Sequence, residues 1–117
     1  MSRKIEDLIP EMQDKYKAFA DAMDIVGVDF VVTCTYRSQE EQNVLYAQGR
    51  TTPGKVVTWT KNSRHTQRDA FDIAILKNGK ITWDDTDYRE AGNVGESVGL
   101  VWGGRWNPPD YPHFQNS

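Results

Sequence analysis

Five side chains stand in settings that suit hydrolysis. His65 ends the polar run Ser63-Arg64-His65, and Asp72 lies soon after it, inside the apolar stretch Ala70-Phe71-Asp72-Ile73-Ala74-Ile75. His113 closes Asp110-Tyr111-Pro112-His113 near the C-terminus, and Arg37 sits in Tyr36-Arg37-Ser38. A carboxylate among apolar residues is costly unless it is paired or binds a metal. Zinc accepts imidazole nitrogen and carboxylate oxygen, and a catalytic zinc keeps one position open for water, whose pKa it lowers toward neutrality. His65, Asp72 and His113 are three such ligands. A second carboxylate must then carry the proton from water to a leaving amine. Asp110, three residues before His113, is the candidate. The Arg37 fork suits either an oxyanion or a substrate carboxylate.

Each residue also has an ordinary reading. A histidine beside a strand is more often a hydrogen-bonded structural residue than a ligand. Asp72 suits a turn cap or a pairing with Arg64 or Arg68, Asp110 suits the turn after Pro108-Pro109, and Arg37 suits a surface charge. The spacing of His65 and Asp72 is not a short zinc motif of the HExxH kind. On the residues alone, both readings stand.

The elements that must position these groups are legible in part. Pro10 suits a first helical turn, and Met12, Tyr16, Phe19, Ala20 and Met23 recur at helical steps, predicting a helix over Pro10–Val26 closed by Gly27. Asp29 to Thr35 reads as a buried strand. Ser38 followed by Glu41 is a capping box that opens a second helix, Gln39 to Gln48, with Gly49 as its stop. Residues 50–64 read as a polar loop with a short extended piece at Val56–Trp59. Ala70 to Leu76 reads as a strand, and Asn78-Gly79 turns it into Ile81-Thr82-Trp83. A third helix is expected over Tyr88–Val98, then a short strand at Leu100–Trp102, a break at Gly103-Gly104 and a stiff turn at Asn107-Pro108-Pro109. This mixture predicts an α+β fold with a small antiparallel sheet, about three helices and zinc in a cleft on the sheet.

Composition narrows the classes. The chain has 117 residues, enough for one compact domain. Its net charge is −3 without a basic block, which argues against a nucleic-acid role. It has no apolar run of membrane-spanning length and no signal-peptide pattern at the N-terminus. The single cysteine, Cys34, excludes an internal disulfide and a Cys-rich metal site, and reads as a small buried hydrophobe.

In these residues the chain resembles the D-alanyl-D-alanine carboxypeptidase-like zinc peptidases, and among them the L-alanyl-D-glutamate endopeptidases of phage endolysins and bacterial autolysins. The resemblance runs through Lys4-Ile5-Glu6-Asp7-Leu8, Tyr36-Arg37-Ser38 with Glu41-Gln42, and Leu45 to Arg50. It continues through Pro53 to Thr58, Ser63-x-His65 with Ala70-Phe71-Asp72, Trp102-Gly103-Gly104 and His113-Phe114. It implies that His65, Asp72 and His113 hold zinc and that Asp110 is the general base and acid. It also implies that Arg37 contacts substrate or the tetrahedral intermediate, and that Ser63 and Gln42 contribute to substrate binding. The implied activity is hydrolysis of peptidoglycan stem peptides at the L-Ala–D-Glu bond. A D-Ala–D-Ala carboxypeptidase or dipeptidase is the alternative within the enzymes, and a non-catalytic zinc-binding module the alternative outside them. The expectation is a monomeric peptidase domain over 1–117 without a separate wall-binding domain or membrane insertion. It would be made in the cytoplasm and act on the wall after release, as phage endolysins do. One position departs from the family pattern: Arg68 stands where the family has glycine, implying either a different local loop or a side chain that reaches the cleft.

Overall fold

Helix α1 runs over Pro10–Val26 in a computed structural model that describes all 117 residues. Pro10 occupies its first turn, and Gly27 ends it in the left-handed region (φ 76°), returning its N–H to the Met23 and Asp24 carbonyls. The apolar stripe expected of this helix is the one it buries: Met12, Phe19 and Met23 are wholly enclosed.

The stripe packs against one face of a five-stranded antiparallel sheet. Its strands are β1 (Asp29–Cys34), β2 (Ala70–Lys77), β3 (Lys80–Thr82), β4 (Leu100–Trp102) and β5 (His113–Asn116). The order is β1-β2-β5-β4, with β3 paired to the far end of β2 across the Asn78-Gly79 turn. Side chains alternate faces along a strand. Phe71, Ile73 and Ile75 of β2 therefore join α1 in the core, while Asp72 points to the opposite face. Phe71 stacks on Phe114 at 5.5 Å between ring centroids, and Phe19 tilts against both.

Helix α2 spans Gln39–Ala47 behind the expected capping box. The Ser38 hydroxyl accepts from the Glu41 N–H (3.1 Å), and the Glu41 carboxylate accepts from the Ser38 N–H (3.0 Å). Helix α3 spans Asp85–Ser97 and packs on β4. Gly92 and Gly95 permit that approach, because a Cβ would lie 2.2 Å from the Trp102 indole and 2.5 Å from the Phe114 ring.

Four details differ from expectation. Helix α3 begins three residues early, since Asp84 caps it by accepting from the Thr86 N–H (3.0 Å). Strand β3 lies one residue earlier than expected. Val56–Trp59 forms no strand and lies along the surface instead. The C-terminal segment, read only as a chain end, is the strand β5 between β2 and β4. Its sequence His-Phe-Gln-Asn has no β-branched residue. Pairing to β2, more than forty positions earlier, is what makes it a strand.

Candidate metal centre and its cleft

Register places the acidic residue between its partners. Asp72 on β2 faces Cys34 of β1 on one side and His113 of β5 on the other. Side chains opposite each other in an antiparallel pair share a face and lie close. His65 comes from outside the sheet, on the one-turn 3-10 helix Arg64–Gln67. Ser63 caps that turn, its hydroxyl accepting from the His65 N–H at 3.1 Å.

His65, Asp72 and His113 converge so that their donor atoms lie within 4.8 Å of one another. Asp72 Oδ1 is 3.2 Å from His65 Nε2 and 3.1 Å from His113 Nδ1. Donors about 2.0 Å from a tetrahedral zinc stand roughly 3.3 Å apart, so this spacing suits such an ion. The outer nitrogens support the same assignment. His65 Nδ1 lies 3.2 Å from the Thr35 carbonyl, which can only accept, so Nδ1 carries the proton. His113 Nε2 likewise faces the Gln115 side-chain oxygen at 2.9 Å. Metal-binding histidines characteristically donate their outer N–H in this way, which turns the inner lone pair toward the metal. His65 Nε2 is buried and has no hydrogen-bond partner. Its contact with Asp72 is close enough for charge attraction but poorly directed for a hydrogen bond. An orphaned inner nitrogen and two fixed outer ones fit a metal.

Electrostatics agree. Burial works against charge on Asp72, yet its interactions with His113 and His65 outweigh it and hold the carboxyl well below the usual carboxylate range. Burial also disfavours a charged His65, but Asp72, and after it Cys34, outweigh that and push its pKa up to about 10. The metal-free centre thus holds a proton where a cation would sit.

Asp110 stands at the rim, its side chain 52% exposed and its Oδ2 4.0 Å from His113 Nδ1. Partial burial in the cleft and the Asp72 charge raise its pKa above the ordinary value. The turn carrying it is held by Trp102-Gly103-Gly104. The Asp110 N–H donates to the Gly103 carbonyl (2.8 Å), Trp102 Nε1 donates to the Tyr111 carbonyl (2.8 Å), and a Cβ on Gly103 would meet the Asp110 carbonyl at 2.5 Å.

Arg37 lines the same cleft of about 380 Å³. Its Nη1 donates to Gln42 Oε1 (2.7 Å), its Nη2 lies 3.7 Å from Cys34 Sγ, and its Nε has no partner. Gln42, expected to bind peptide, is wholly buried instead. Its amide nitrogen donates to the Thr60 carbonyl (2.7 Å), so Gln42 ties Arg37 to the loop that walls the cleft. Ser63 borders the cleft, with its hydroxyl engaged in capping the His65 turn. Arg68 takes the left-handed backbone that glycine would readily supply (φ 59°). Its guanidinium lies 3.9 Å over the Tyr36 ring and donates to the Asp7 carbonyl, so it does not reach the cleft. Thr35 and Gln115 were invisible as site residues in the sequence, because one acts through its carbonyl and the other through β5 geometry.

The D-alanyl-D-alanine carboxypeptidase family matches residues 57–116, a span that includes His65, Asp72, Asp110 and His113. The chain is 35% identical over 122 residues to the peptidoglycan L-alanyl-D-glutamate endopeptidase CwlK of Bacillus subtilis (strain 168), covering 93% of this chain and 73% of that protein. The chain belongs to the D-alanyl-D-alanine carboxypeptidase family of peptidases. Two solved structures share the family fold. The Serratia marcescens L-Ala D-Glu endopeptidase ChiX superposes with a TM-score of 0.80 at 22% identity, over 97% of this chain and 83% of that one. The LdcB LD-carboxypeptidase gives 0.75 at 19% identity, over 99% of this chain and 63% of that one.

Proposed function

We propose that this family member is a zinc peptidase that hydrolyses peptidoglycan stem peptides at the L-Ala–D-Glu bond. The observation that carries the reading is the His65–Asp72–His113 centre, with its inner nitrogens facing Asp72 and Asp110 at its rim. The likeness to CwlK over nearly the whole chain supports the bond and the substrate.

His65, Asp72 and His113 would hold the zinc, which would supply Lewis acidity and lower the pKa of water toward neutrality. Asp110 accepts a proton from the water that adds to the L-Ala carbonyl carbon. It returns that proton to the D-Glu nitrogen as the C–N bond breaks. Arg37, steadied by Gln42, lines the cleft, where its guanidinium suits the developing oxyanion or a substrate carboxylate. Thr35 keeps the His65 imidazole in the tautomer that metal binding needs, and Gln115 pairs with the outer nitrogen of His113.

Mass spectrometry of purified wall digested with and without a chelator tests this reading. The expected products are whole stems beginning at D-Glu, lost on chelation. Release of D-Ala alone would favour a D-Ala–D-Ala carboxypeptidase, an alternative supported by the description of the matched family.

A further inference from the structure

Beyond the metal cleft, the surface continues into a groove of about 440 Å³. The two are continuous, since Val57, Thr58, Thr60, Trp106 and Asp110 line both. Volumes of roughly 300–1,000 Å³ are typical of sites for small ligands. The groove is walled by Trp59 and Trp106 with Pro108 and Pro109. Trp59 is 72% exposed and Trp106 40%, a large apolar area to leave in water beside a reactive centre. Trp106 also reaches the metal centre, its ring centroid 5.1 Å from that of His113. The loop bearing Trp59 is braced by Arg50, which donates to the Tyr46 and Thr58 carbonyls (2.6 and 3.1 Å) and lies 5.8 Å from the Trp59 ring centroid.

Charge divides the cleft. Arg37 and Arg64 line the part around the metal centre, whereas no cationic side chain lines the groove. The scissile peptide is divided in the same sense. On the C-terminal side of an L-Ala–D-Glu bond lie carboxylates, which suit guanidinium groups. On the N-terminal side lie only L-Ala, a lactyl link and a neutral sugar. That sugar is about 7 Å from the reacting carbonyl, two residue-lengths of extended chain. A sugar ring has an apolar C–H face and a polar rim, and an exposed indole offers a flat apolar body to such a face.

We propose that this groove is a sugar subsite, walled by Trp59 and Trp106, for the N-acetylmuramic acid from which the stem peptide hangs. The proposal rests on the L-Ala–D-Glu reading above. It makes the glycan, as well as the peptide, part of what the protein recognises.

The test compares zinc-loaded wild type and Trp59→Ala on N-acetylmuramyl-L-Ala-D-Glu and on sugar-free N-acetyl-L-Ala-D-Glu, following release of D-Glu. Wild type is expected to favour the muramyl substrate by about tenfold or more in kcat/KM. Trp59→Ala should erase most of that preference, chiefly through KM, and Trp59→Phe should restore part of it. A preference unchanged by Trp59→Ala, or none in wild type, overturns the proposal. The exposed position of Trp59 keeps the variant folded, as matching melting curves will verify. A second measurement separates this proposal from the bond assignment. The peptide-free disaccharide N-acetylglucosaminyl-N-acetylmuramic acid is titrated into wild type while indole N–H signals are followed by NMR. Shifts at Trp59 without L-Ala–D-Glu cleavage uphold the groove and overturn the bond. Cleavage at equal rates on both substrates, without shifts, upholds the bond and overturns the groove.

Discussion

At the scale of single residues, the centre depends on charge placed where the sheet would otherwise exclude it. Asp110→Asn keeps the shape of the rim but removes the proposed proton acceptor. It is expected to retain zinc at wild-type stoichiometry while stem-peptide release falls by about 10²-fold or more, read by metal analysis beside muropeptide mass spectrometry. His65 makes a pH prediction for the metal-free protein. Its folded pKa, about 10, lies above the ordinary 6.5, so protonation favours the folded state. That stabilisation is complete below about pH 6.5 and is lost as pH rises through 10. Thermal melts of chelated wild type should therefore fall over this window, and those of His65→Gln should not. Zinc must displace the same proton, so its affinity should rise with pH over that range.

At the scale of elements, two contacts decide whether the site is assembled. Gln42 joins α2 to the cleft loop through Arg37 and the Thr60 carbonyl. Gln42→Ala leaves both without that partner and should cost about 1–3 kcal/mol of stability. Zinc content should be unchanged and kcat lowered, which a combined melt and kinetic measurement would show. Helix α3 meets β4 only because Gly92 has no side chain. Gly92→Ala forces a Cβ into Trp102, which also holds the Tyr111 carbonyl beside Asp110. Overpacking of this kind should cost about 1–3 kcal/mol and lower the melting temperature by about 4 °C or more.

At the scale of the whole molecule, one sheet has a core on one face and the metal centre on the other. Phe114 and His113 are neighbours on β5, so packing behind the sheet sets the position of a ligand in front of it. Phe114→Ala removes a wholly buried ring stacked on Phe71 and tilted against Phe19. It should cost about 3–5 kcal/mol and weaken zinc binding as β5 loosens. Melts with and without added zinc would reveal both effects, the zinc-induced gain being smaller than in wild type.

The elements with local signals were legible in the chain itself. The stripe from Met12 to Met23 with Gly27 specified α1, Ser38 and Glu41 specified the start of α2, and Asn78-Gly79 specified the hairpin, because each acts over a few residues. The chemical types of His65, Asp72, His113, Asp110 and Arg37 were legible too, and family resemblance joined them into a site. Tertiary structure decided what depends on distant pairing. It made His113–Asn116 a central strand, set His113 opposite Asp72, and buried Gln42 as a strut for Arg37. It turned Arg68 away toward Tyr36 and brought Trp59 and Trp106 to one groove. None of these follows from local sequence, because strand register and loop packing are settled by which distant surfaces bury one another.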